Sequence, residues 1–131
     1  MLAQPPVTPV SVSFARLPSG WHRSGTSGMG GFATSWPYRP GPHGWAVSIP
    51  ANGIVVQVFF VRDSPPYPRL ELRLPRTTRF MLDGSLDVRE YRISGRVLGH
   101  NVEVWTDIRS RHPTPRLLRT AQRVVSALRF R

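Results

Sequence analysis

Residues 90–109, EYRISGRVLGHNVEVWTDIR, alternate apolar and polar side chains on both sides of a glycine-containing break. That is the pattern of an antiparallel hairpin with one buried face. A two-residue loop at Gly99-His100 would use glycine at the first central position, where a tight primed turn can require it. The resulting register sets Glu90 against Arg109, Arg92 against Asp107 and Arg96 against Glu103, with Ser94 opposite Trp105. The reverse face carries Tyr91, Ile93, Gly95 and Val97 against Ile108, Thr106, Val104 and Val102. An exposed charge pair contributes only about 0.2–1 kcal/mol, so the apolar face must supply most of the stability. A slip of one residue would turn that face to water. The charged strip is expected to be the solvated side of a sheet rather than a working surface.

The rest of the chain extends this sheet. VSVSFARL (10–17) places Val10, Val12, Phe14 and Arg16 on one side of a first strand, and GFATSWPY follows a glycine-rich loop over 23–31. That loop lacks the Gly-Lys-Ser/Thr of a phosphate cradle and runs into a strand rather than a helix. WAVSI (45–49) and GIVVQVFFVR (53–62) are two further strands, the second apolar on both sides and therefore central. RLELRLP (69–75) alternates Arg69, Glu71 and Arg73 with three leucines, as a half-buried strand would. RFMLDGS adds a short strand and a turn at Asp83-Gly84.

A helix closes the chain. Thr114 can cap its first turn, and Pro115 sits where a missing N–H costs nothing. Leu117, Leu118, Ala121, Val124, Val125 and Leu128 then form one apolar stripe for the sheet, with Arg116, Arg119 and Arg123 on another side. The fold expected is α+β: an antiparallel sheet of about six to seven strands with one amphipathic C-terminal helix packed on one face. A Pro-rich linker over residues 1–9 precedes a single domain over 10–131.

The chain has 131 residues and a formal net charge of +11, and its 18 basic residues are all arginine. Complete exclusion of lysine points to a high-GC genome more than to phosphate binding, because an electrostatic binder has no reason to avoid lysine. With no cysteine there is neither a disulfide framework nor a thiolate metal site. No apolar run reaches the length of a membrane span, and MLAQPPVTPV lacks the segments of a signal peptide. If Met1 is the native start, the chain is expected in the cytoplasm. If the domain belongs to a longer exported chain, it is expected outside the membrane.

Two groups of residues are candidates for binding. Trp21, His22, Trp36, Tyr38, Arg39, His43 and Trp45 gather aromatic rings and cations in predicted loops, suited to stacking on a sugar, a base or a protein partner's side chain. Arg109, Arg111, Arg116, Arg119 and Arg123 lie in a segment free of acids and are the candidate contacts to a nucleic acid or other polyanion. The four histidines are scattered without metal-ligand or catalytic spacing, so no catalytic residue, metal or cofactor is assigned. One terminal helix cannot make a helix-turn-helix, and no aromatic signature of an RNA-recognition sheet is present.

ARLPSGW, IPANGIVVQVFFVR and EYRISGRVLGHNVEVWTDI followed by HPTPRLLRTAQRVVSALRF together resemble extracytoplasmic domains of actinobacterial proteins, and more loosely PsbP-like α/β folds. The resemblance spans most of the chain and implies a domain carried behind a membrane anchor and a Pro-rich linker. It implies no catalytic residues. The expectation is a non-catalytic binding or accessory domain for a protein or glycan partner, with an arginine-rich nucleic-acid or polyanion binder as the alternative.

Overall fold

The computed structural model describes residues 10–24, 31–37, 49–76, 78–80 and 87–131. Within them the fold is α+β, as expected. The strands are β1 (Val12–Phe14), β2 (His22–Ser24), β3 (Phe32–Thr34), β4 (Ile54–Val61), β5 (Arg79–Phe80), β6 (Val88–Val97) and β7 (His100–Arg109). Helix α1 (Pro115–Ser126) and strand β8 (Leu128–Phe130) complete the order. Six strands form one antiparallel sheet in the order β2-β3-β4-β7-β6-β5, and β1 pairs with β8 in a separate ribbon.

The long hairpin forms with the expected residues on each face, but its register is shifted by two residues, and the charged face expected to be solvated buries Glu90 and Asp107. Val97 faces His100, so the loop is Leu98-Gly99, with φ of 49° and 81°. Two central residues with positive φ define the turn whose twist matches the strands, and glycine occupies its second position. The expected charge ladder is therefore absent. Glu90 faces Asp107, Arg92 faces Trp105, Ser94 faces Glu103 and Arg96 faces Asn101. Buried Asn101 helps to hold this register. It accepts from Tyr67 N at 2.9 Å and donates to the carbonyls of Ser64 (3.4 Å) and Pro65 (2.9 Å), tying the loop after β4 to the hairpin.

Leu98 stands 59% exposed in a left-handed conformation that costs a side chain without local hydrogen bonding about 1 kcal/mol. Leu98→Asn creates the Asn-Gly pair this turn favours and is expected to raise stability by about 0.5–1 kcal/mol in urea denaturation. A loss of stability would mean that Leu98 packs on something the turn needs.

β4 is central, as its two-sided apolar pattern requires. Ile54, Val56 and Val58 face the helix with Val102, Val104, Ile108 and Ile93, while Val55 is buried on the reverse face with Ile49 and Val88. Thr114 caps α1 by accepting from Leu117 N at 3.2 Å, and Pro115 follows at the first turn. Ala121, Val124 and Val125 seat the helix on the core.

Four further expectations need correction. The helix stops at Ser126, and Leu128, placed in its stripe by periodicity, begins β8. Because Leu128 is buried in either state, burial pattern alone could not separate them. The first strand is short and pairs with β8 rather than with the sheet. His22–Ser24, read as loop, is strand β2. Residues 69–75 make only an isolated bridge between Arg69 and Arg96, although Leu70, Leu72 and Leu74 do pack on the core. The strand expected at 45–49, except Ile49, and the turn at Asp83-Gly84 lie outside the described residues.

Candidate functional site: an arginine-rimmed groove

Leu70 crosses from the edge of β6 toward α1 at one glycine. A Cβ on Gly95 would stand 2.2 Å from Leu70 Cα and 2.7 Å from Leu70 N, so only glycine lets the two backbones approach. Leu70 N donates to Arg96 O at 3.1 Å and Arg96 N to Pro68 O at 2.7 Å, fixing the start of the crossing. Gln122 of α1 fixes its course. Its Oε1 accepts from Leu74 N at 2.8 Å, while its Nε2 donates to Leu72 O at 2.9 Å and to Ser126 Oγ at 2.7 Å. One side-chain amide thus supplies to residues 72–74 the donor and acceptor that a neighbouring strand would have given them.

Between this strapped segment and α1 lies a groove of about 700 Å³. Leu74, Pro75 and Leu118 give it apolar walls, and Tyr91 of β6 reaches it from beneath. Burial pushes the Tyr91 phenol above its ordinary pKa, against the pull of Arg89. Arg76, Arg119 and Arg123 line the groove and are exposed. None of the three forms an ion pair with another described residue. Arg119 and Arg123 stand one helical turn apart, a like-charge spacing that costs a few tenths of a kcal/mol. Arg123 in the last turn recovers part of this from the helix dipole.

The opposite face of the sheet carries a second cluster, which is closed on itself. The guanidinium of Arg92 lies 3.8 Å from the centroid of the Trp105 ring, and Phe59 packs against the same ring at 4.7 Å and 53°. Trp105 Nε1 donates to Glu103 Oε1 at 3.1 Å, and Arg92 is ion-paired to Glu90. Glu90 and Asp107, opposed across the strands, are 4% and 2% exposed. The Asp107 carboxyl is pushed up to about 8, first by desolvation and then by the charge and hydrogen bond of Glu90, with Arg92 pulling the other way. Asp107 Oδ1 has no hydrogen-bond partner among the described residues. Both carboxyls of this pair are buried on the sheet face away from α1.

The structure divides both predicted groups. Trp21 is half-buried against the helix-side core, and Trp36 packs on the reverse face with Ile49, Val55 and Val88, so the two rings do not share a site. His22 is exposed on β2, and Tyr38, Arg39, His43 and Trp45 lie outside the described residues. Of the five arginines, Arg109 lies on the face away from α1 and donates to Ile49 O at 2.6 Å. Arg111 pairs at 3.5 Å with Asp87, both exposed. Arg116 is exposed on α1 but does not line the groove, which takes only Arg119 and Arg123 from this set. They are joined there by Arg76, Tyr91, Leu74 and Pro75, none of them marked by a motif. Among the described residues no cluster of three or more His, Asp or Glu could hold a metal, and no helix is long and apolar enough to cross a membrane.

No protein-family model, curated protein or solved structure matches the chain. Its function is therefore argued from the chemistry of the groove.

Proposed function

We propose that the domain is a non-catalytic binding module whose groove between α1 and residues 70–76 receives an anionic ligand. The supporting observation is the meeting of Arg76, Arg119 and Arg123 on one hollow without a carboxylate partner among the described residues. Guanidinium groups offer planar, paired donors to carboxylate and phosphate oxygens, and a concave low-dielectric wall strengthens the attraction. Among the described lining residues none pairs a nucleophile with a base, which favours capture over turnover. The division of the other arginines between the two faces argues against a long polyanion lying on a single basic track.

The test is a titration of the labelled protein with sodium pyrophosphate, followed by amide chemical shifts. The perturbed amides are expected at Leu74, Arg76 and residues 118–123, and Arg119→Gln with Arg123→Gln should weaken the response at least tenfold. Shifts spread evenly over all arginines, or unchanged in the double variant, would replace the groove with diffuse charge.

A further inference from the structure

We infer that the ligand of this groove is a single-chain amphiphile, a free medium-length alkyl carboxylate, held by its head at the arginine rim and by its chain along Leu74, Pro75 and Leu118. The inference rests on the anion-binding reading of the groove and narrows it to one chemical class.

The lining separates this ligand from the other anions. A phosphodiester backbone or a small inorganic anion would use the guanidinium groups and leave the hydrocarbon of the walls in contact with water. The three apolar wall residues and the Tyr91 ring gain from a ligand only if it brings hydrocarbon of its own. A cleft of about 700 Å³ falls within the size range of sites that enclose one small organic molecule. Such sites combine mostly apolar walls with a few polar groups that fix orientation. Here those groups are Arg76, Arg119 and Arg123. The carboxylate is thus placed at the guanidinium rim and the chain toward the tyrosine ring.

A membrane surface fits less well. A helix that lies in a bilayer shows large apolar side chains to it, whereas α1 buries its stripe in the core. The one large hydrophobic residue well exposed among the described residues is Leu98, at the β6–β7 turn rather than on α1. The groove walls are also restrained. Gln122 holds residues 72 and 74 against α1, so the hollow exists before a ligand arrives, and little ordering is needed on binding.

The test is calorimetric titration of the full chain with sodium acetate, hexanoate, octanoate and decanoate below their micelle concentrations, with 1-octanol as the uncharged probe. Affinity is expected to rise about two- to fourfold for each added methylene, the factor that partial to full burial of a CH2 gives. Arg119→Gln with Arg123→Gln should weaken octanoate at least tenfold while changing octanol less than twofold. Both substitutions are on exposed side chains, so the variants retain the fold. Affinity independent of chain length, with the pyrophosphate response at the groove intact, would overturn the amphiphile and leave the anion site standing. Absence of both responses would overturn the two together.

Discussion

Asp107→Asn is expected to make the domain more stable, by an amount that grows as the pH rises from 5 to 8. In the folded protein Asp107 keeps its proton to about pH 8, whereas in the unfolded chain it releases it near pH 4. Between those values the folded state binds more protons, so stability falls by up to about 1.4 kcal/mol per pH unit and levels off above the folded value. The contribution is favourable only at acid pH and has been lost by pH 8. Asparagine removes the ionisation and can still donate a hydrogen bond to Glu90, which keeps its ion pair with Arg92. Arg92 on β6 is the cation that acts on Asp107, and Arg109 lies two residues along on β7. Val55 faces Asp107 from β4 and brings no charge. The expected gain is about 2–4 kcal/mol at pH 8 and near zero at pH 4, read from urea denaturation across that range. A variant with the pH slope of the parent would assign the proton to a different group.

Gly95→Val is expected to have the opposite sign and a comparable size. Valine suits a strand by propensity, and in a half-exposed position the exchange would be harmless or helpful. Here the first carbon of the new side chain falls 2.2 Å from Leu70 Cα and 2.7 Å from Leu70 Cβ. The obstacle is backbone, so no rotamer relieves it, and residues 68–70 must leave the edge of β6. That breaks the two backbone bonds to Arg96 and lifts Leu70, Leu72 and Leu74 from the core. A loss of about 3–5 kcal/mol is expected in equilibrium unfolding, with weakened octanoate binding in whatever fraction remains folded. Gly95→Ala, with one carbon in the same place, should cost at least half as much. A neutral alanine variant would mean that the crossing segment can move aside, and that the groove is not held open at this glycine.

The elements were legible where local chemistry decides them. Thr114 and Pro115 mark a helix start by hydrogen-bond bookkeeping alone, and the uninterrupted apolar run of β4 marks a central strand. The hairpin register was not legible from charge. Opposite charges could be matched across the strands, yet the structure opposes Glu90 to Asp107. A turn with both central residues in the left-handed region and the hydrogen bonds of Asn101 are consistent with that outcome, and neither leaves a charge pattern. The groove was illegible for another reason. Tyr91 and Leu118 read as core, and residues 74–76 read as the end of a strand. What makes them a site is a crossing permitted by Gly95 and a strap supplied by Gln122, both set by distant parts of the chain. The aromatic loop candidates show the converse, since Trp21 and Trp36 are near in sequence and separated by the thickness of the sheet.

The ribbon of β1 and β8 decides how the domain responds to tension. Ser11 and Arg131 exchange backbone hydrogen bonds at 2.8 and 3.0 Å, and pairing runs inward from there to Ala15, which donates to Ala127 O at 2.8 Å. In an antiparallel pair the bonds lie across the strands. A pull applied to residues 10 and 131 is therefore directed along those bonds and meets them one at a time, as in opening a zipper, rather than loading all of them in shear. Traction would peel β1 and β8 apart first and uncover Phe14 and Leu128. The six-stranded sheet, which neither of those residues belongs to, would bear force only after the ribbon had opened.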